Sequence, residues 1–216
     1  MKVVVTRARE HAGDLVERLE RLGHEVLLCP LIEVEPVGPA EIDVSGYDWV
    51  VVTSRNGAEE LGRRIRGRAA NVAAIGPGTA RALRDRGLEP RIVARESTQE
   101  GLAAELPRPA GRVLFAGAEG ARRHLVDELN ADFVAVYRTR ELRPREFPEA
   151  DLVVLASASA ARAYARLDRN APAVSIGPRT TAEARAAGIQ VLAEAASADS
   201  AGLAAAVRVA SARVEA

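Results

Sequence analysis

The sequence predicts an α/β protein built from two similar units, on three observations. First, the chain repeats itself. Asp48-Trp49-Val50-Val51-Val52-Thr53-Ser54 returns as Asp151-Leu152-Val153-Val154-Leu155-Ala156-Ser157, a shift of 103, and Ile75-Gly76-Pro77-Gly78-Thr79 returns as Ile176-Gly177-Pro178-Arg179-Thr180, a shift of 101. Gly101-Leu102-Ala103-Ala104 returns as Gly202-Leu203-Ala204-Ala205, again at 101. Solenoid repeats recur every ~20 to 50 residues, so a period near a hundred indicates a duplicated globular unit. Second, short β-branched runs alternate with segments of helical period, the pattern of parallel sheets wrapped by helices. Third, 216 residues suit two small units, given roughly 100 to 200 residues per domain.

The elements follow in order. Val3 to Val5 form the centre of a first strand over 2–6. A helix over 9–22 places Leu15, Val16, Leu19 and Leu22 on one apolar stripe, and Gly23 offers a left-handed stop. Further strands are expected over 25–28, 48–53, 72–75, 90–94, 112–116, 133–137, 151–155, 173–176 and 189–193. Helices from Thr79 to Arg86 and from Thr180 to Ala187 end on Gly87 and Gly188, and the Ala-rich tail after Leu203 completes a last helix. Ten strands divide into two five-stranded sheets. Lys2 to Val5 followed by Leu15 and Leu19 also resembles Arg112 to Phe115 followed by Leu125 and Leu129. The chain therefore reads A, B, A′, B′. Periodicity permits sequential domains, or A folded with B′ and B with A′. Pro30 to Pro39 and Arg138 to Pro148 are extended in character, and sit where a paired linker would lie.

Composition narrows the partners. Hydrophobic content of 48% with 28% charged residues is ordinary for a soluble protein, and Lys+Arg 30 against Asp+Glu 30 leaves no net charge. That balance argues against a dedicated nucleic-acid or membrane-surface binder. Cys29 is the lone cysteine, which excludes an internal disulfide framework and a Cys-rich metal site. A cytoplasmic setting is the simplest expectation. The apolar start is cut short by Arg7 and Arg9, and no apolar run approaches the roughly 18 residues of a membrane span.

In open parallel sheets, ligands bind beyond the carboxyl ends of the strands, where helix N-termini present unpaired N–H groups. Stretches of that form are Thr6-Arg7-Ala8-Arg9, Thr53-Ser54-Arg55-Asn56, Ser157-Ala158-Ser159, and the turns Gly76-Pro77-Gly78-Thr79 and Gly177-Pro178-Arg179-Thr180-Thr181. Hydroxyls, main-chain donors and arginines suit carboxylates or phosphates. Helix capping alone is the plain alternative for Ser54, Thr79, Ser157 and Thr180. Arg81 stands where a dinucleotide fingerprint needs its third glycine, and no phosphate loop follows. His11, His24 and His124 lack metal-ligand spacing. Tyr137 ends the apolar run Phe133 to Val136 and leads into Arg138-Thr139-Arg140, so its hydroxyl is a candidate to face a ligand, unless it packs as a boundary tyrosine.

With these motifs in hand, the chain resembles the uroporphyrinogen-III synthase family over nearly its whole length. The resemblance rests on the order and spacing of Val5-Thr6-Arg7, Tyr47-Asp48-Trp49, Thr53-Ser54-Arg55-Asn56-Gly57, Ile75 to Thr79, Val136-Tyr137-Arg138-Thr139, Ser157 to Ala160, and Ser175-Ile176-Gly177-Pro178 with Thr180-Thr181-Ala182. It implies two three-layer α/β/α domains with five-stranded parallel sheets, joined by a two-stranded linker, with residues 1–36 plus 142–216 in the first and 37–141 in the second. It implies a cytoplasmic lyase of haem and tetrapyrrole biosynthesis that cyclises hydroxymethylbilane, inverts the last pyrrole ring and releases water without metal or organic cofactor. A monomer is expected, with a linear tetrapyrrole as its only partner. The substrate carries eight carboxylates, which suits a cleft of helix N-termini, hydroxyls and arginines.

Carried over to this sequence, Tyr137 becomes the candidate catalytic group, holding the leaving hydroxyl or orienting the last ring. Thr180, Thr181, Ser157 and Ser54 become substrate contacts, joined by Arg7, Arg55, Asn56, Gly76, Thr79 and Gly177. Placing Arg55-Asn56 after Ser54 departs from some relatives. A non-catalytic two-domain binder of a small polyanion is the competing reading; a nucleotide-dependent transferase would need a phosphate loop or acidic metal ligands.

Overall fold

All ten predicted strands are present in the computed structural model, which describes residues 1–167 and 169–214. The chain opens with β1 (Lys2–Val5), a 3-10 turn at Arg9–His11, α1 (Gly13–Arg21), β2 (Glu25–Leu28) and β3 (Ile32–Pro36). Then come β4 (Ile42–Asp43), β5 (Trp49–Val52), α2 (Arg55–Arg64), β6 (Ile65–Arg66), β7 (Asn71–Ala74), α3 (Pro77–Arg84), β8 (Ile92–Val93) and α4 (Gln99–Glu105). β9 (Val113–Ala118), α5 (His124–Leu129) and β10 (Asp132–Glu141) follow. The rest is β11 (Leu152–Leu155), α6 (Ala158–Ala165), β12 (Ala173–Ser175), α7 (Pro178–Ala186), β13 (Val191–Glu194) and α8 (Ser200–Val214).

Two compact units result, Met1–Glu33 with Thr139–Ala216, and Val34–Arg138. In the first, the sheet order is β13-β12-β11-β1-β2, and every pair is parallel. Its strands are continuously apolar because both faces are covered. Val3 and Val5 pack with Leu15, Leu19, Leu203 and Val207 from α1 and α8, while Val4 and Val153 pack with Ala161, Tyr164 and Ala184 from α6 and α7. The second unit repeats the plan. Val50 and Val52 meet Ala58, Leu61, Ala80 and Leu83 from α2 and α3, and Val51 and Phe115 meet Leu102, Leu125 and Leu129 from α4 and α5.

The first sheet has the five parallel strands expected of it. The second has its five and one more, in the order β3-β10-β9-β5-β7-β8. β3 runs against β10: Leu142 N donates to Leu31 O (2.9 Å) and Val37 N to Val136 O (3.2 Å), so one strand's numbers fall as the other's rise. Its terminal proline and two glutamates make Ile32–Pro36 read as linker, yet an edge position accepts proline. β4 and β6 form a separate two-stranded pair, too short to leave a periodic signal. Periodicity left open which quarters of the chain share a sheet; the registers Val3↔Leu152 and Trp49↔Val113 decide it.

Candidate functional site

At the carboxyl edge of the second unit's sheet, Ser54 follows β5 and caps α2, its Oγ accepting from Gly57 N at 3.0 Å. Tyr137 lies on β10, only 7% exposed, and its hydroxyl donates to the same Ser54 Oγ at 3.0 Å. The serine oxygen thus accepts two hydrogen bonds, leaving Ser54's own hydrogen as the one to offer a ligand. Burial pushes the Tyr137 phenol above the ordinary tyrosine range, with the Ser54 contact opposing. Gly57 makes room for this pair, since a Cβ there would stand 3.0 Å from Ser54 Oγ. Arg55 and Asn56, in the first turn of α2, are both half-buried.

At the other end of α2, Arg64 holds the backbone just after β3 to that of β10. Its guanidinium donates to Val37 O at 2.6 Å and to Val136 O, and pairs with Glu60, which is 6% exposed. Val136 adjoins Tyr137, so this clamp helps fix the phenol. Sequence reasoning missed Glu60 and Arg64; read along a helix, they are an ordinary i,i+4 pair. Further along the edge, Gly76 is the N-cap of α3, and a Cβ on it would lie 2.5 Å from Ser97 Oγ.

The first unit presents the matching edge. Ser157 caps α6, its Oγ accepting from Ala160 N at 3.0 Å, as Ser54 does in α2. Gly177 caps α7 through its backbone. Behind it, Ser175 Oγ lies 2.5 Å from Thr181 Oγ1, and the Thr181 hydroxyl donates to the carboxylate of Glu194. Arg7 sits half-buried just beyond β1, and Thr6 turns inward, its hydroxyl donating to Val154 O at 2.8 Å.

Capping explains Ser54 and Ser157, as one reading of the sequence expected, but not Thr79 or Thr180. α3 and α7 begin two residues before the predicted starts, because proline is favoured at the first helical position and moves the cap back to Gly76 and Gly177. Thr79, Thr180 and Thr181 consequently fall inside the first turns and are buried, at 5%, 4% and 7% exposure. The structure therefore brings Tyr137 together with Ser54, and Thr181 together with Glu194. A cavity of about 660 Å³, lined by Lys2, Glu25, Asp151, Tyr164 and Arg169 among others, opens at the opposite, amino-terminal edge of the first unit's sheet and contains none of the candidate residues. Among the described residues no three His, Cys, Asp or Glu side chains gather to hold a metal ion, and no helix is long and apolar enough to cross a membrane.

Comparison with known proteins bears on this geometry. The family model described as uroporphyrinogen-III synthase HemD matches residues 13–205. The chain belongs to the uroporphyrinogen-III synthase family. A relative from Methanocaldococcus jannaschii, provisionally named uroporphyrinogen-III synthase, is 29% identical over 151 residues, covering 65% of this chain and 63% of the relative. A porphyrin biosynthesis protein HemD of Ruminiclostridium josui is 33% identical over 102 residues, covering 40% of this chain and 20% of that protein. The matches thus span less than two thirds of these curated relatives. Among solved structures, uroporphyrinogen-III synthetase from Helicobacter pylori superposes with a TM-score of 0.68 at 18% identity, covering 98% of this chain and 99% of that one. A mutant uroporphyrinogen III synthase from Thermus thermophilus gives 0.62 at 17% identity, with 99% of each chain covered. At those identities the likeness shows the family's fold alone.

Proposed function

We propose that the chain is a uroporphyrinogen-III synthase, closing hydroxymethylbilane to a macrocycle with inversion of the last ring and loss of water. The single observation that carries this reading, beyond family membership, is the Tyr137–Ser54 pair at a strand-end edge, with a serine hydrogen left to donate. The capped helix starts at Ser54 and Ser157 and the turns at Gly76 and Gly177 supply the donors that a polycarboxylate needs. Arg55 and Asn56 directly follow Ser54 in the first turn of α2, and Arg7 lies just beyond β1.

The reaction needs departure of the terminal hydroxyl to give an azafulvene cation, attack by the substituted carbon of the last ring to form a spiro intermediate, then fragmentation and reclosure. Acid assistance to hydroxide departure supplies roughly 10²- to 10⁴-fold. Tyr137, buried and held neutral, is a poor acid but a durable donor. It polarises Ser54, and Ser54 offers its hydrogen to the leaving oxygen. Holding the bilane in near-cyclic shape contributes the larger share, since orientation supplies up to several kcal/mol. Thr180 and Thr181, buried in α7, donate their main-chain N–H groups to Gly177 O and so hold that turn.

Hydroxymethylbilane added to the purified chain should give the type III isomer. Accumulation of only the type I isomer, which forms spontaneously, would reject the proposal and favour a binder without turnover.

A further inference from the structure

The two units differ in polarity at three positions that their shared strand register and helix caps place in equivalent spots. With the shift of 101, Ala74, Ala80 and Val93 of the second unit correspond to Ser175, Thr181 and Glu194 of the first. The registers agree, since Ala74 is the cross-strand partner of Val93 and Ser175 that of Glu194. So do the flanking caps: Thr98 accepts from Gly101 N at 3.0 Å, and Asp199 accepts from Gly202 N at 2.8 Å. In the second unit the trio is apolar, with Ala74 at 0% and Ala80 at 1% exposure. In the first it is polar and linked, Ser175 to Thr181 at 2.5 Å and Thr181 to Glu194. The fold itself does not require the polar version, and burying hydroxyls is unfavourable unless each is paired.

The link has a direction. Thr181 has one hydroxyl hydrogen, and a carboxylate can only accept, so that hydrogen goes to Glu194. Ser175 must then donate to Thr181, and Thr181 has no hydrogen left for a substrate carboxylate. What this corner of the edge presents outward is the exposed, negatively charged Glu194, beside helix starts that otherwise offer donors. A carboxylate is a poor receptor for another carboxylate and a good one for N–H groups or positive charge.

We propose that Glu194, aimed by Thr181 and Ser175, is a substrate-contacting group that receives the pyrrole N–H groups of the tetrapyrrole and stabilises the positive charge appearing there as hydroxide leaves. This deepens the synthase reading and rests on it. An interaction that strengthens only as charge develops lowers the barrier without tightening ground-state binding.

The test uses the full chain with hydroxymethylbilane. Glu194→Gln keeps an acceptor for Thr181 but removes the charge, and should lower kcat roughly 10- to 100-fold, the scale of a hydrogen bond to a charged group, with KM within about twofold and an unchanged melting temperature. The triple variant Ser175→Ala, Thr181→Ala, Glu194→Val copies the second unit's apolar trio; it should melt no lower than the parent and still be slow. Parent-like kcat in either variant would make the trio a packing feature and overturn the assignment, as would a rise in KM alone. A parent chain that makes no type III isomer overturns the synthase reading and this one together. An active parent with an equally active Gln variant overturns this one alone.

Discussion

The Tyr137–Ser54 contact joins two side chains 83 positions apart in sequence. Tyr137→Phe removes one neutral hydrogen bond, with a folding cost of about 1 kcal/mol. The proposed role in polarising Ser54 predicts a drop in kcat of about tenfold or more, read by initial rates of type III formation. Ser54→Ala should remove both the donor and the α2 cap, and Ser157→Ala the α6 cap, each costing ~1 kcal/mol in urea unfolding. The phenol also sets a pH expectation. Its folded pKa lies above the unfolded value near 10. The stability it contributes is complete below about pH 10 and is lost as pH rises through the folded value. Parent and Tyr137→Phe should therefore have the same alkaline profile below about pH 10, and an alkaline limb near neutrality that vanishes in the Phe variant would contradict this. Both residues were legible as candidates from their places at strand ends. Their contact was not, because it depends on β10 and β5 sharing one sheet. Glu60, Arg64 and Glu194 were missed for a related reason: a charged residue on a helix or at a strand end reads as a solvated charge until its partners are seen.

Helices and strands were legible to different degrees. Strands showed clearly because cores covered on both faces make runs such as Val3-Val4-Val5 and Val50-Val51-Val52, each residue 0% exposed. Helix starts were displaced where Gly-Pro precedes Thr, since a hydroxyl three residues into a helix resembles a cap until the turn is built. Glycine substitutions separate two effects on these helices. Gly101→Ala and Gly202→Ala gain helix propensity, yet the new Cβ would fall 2.6 Å from Glu96 O and 2.2 Å from Ser197 O. Both should destabilise, Gly202→Ala more. At Gly78, in the first turn of α3, nothing lies within 4 Å of where a methyl group would stand, so Ala there should stabilise by up to ~1 kcal/mol. Denaturant midpoints on the three variants give the signs.

For the whole molecule, the interleaved order has consequences for any cut. A chain ending near residue 110 separates β1 from β11 and β5 from β9, so each sheet loses a central pairing. Such a fragment should show no cooperative thermal transition by circular dichroism. Excising Val34–Arg138 and closing the gap with a short turn leaves every strand of the first sheet, and that product should melt cooperatively. The sequence by itself determined the two-unit repeat, the ten principal strands, the glycine stops at Gly23, Gly87 and Gly188, and the motifs that mark the family, because each is written in neighbouring residues. Periodicity left open which quarters share a sheet, a choice the family resemblance implied; only the tertiary structure decided the registers that join them, that β3 joins the second sheet, and that Tyr137 meets Ser54 and Thr181 meets Glu194. Those facts depend on strand order and register, which are set by contacts between distant segments and leave no trace in local periodicity.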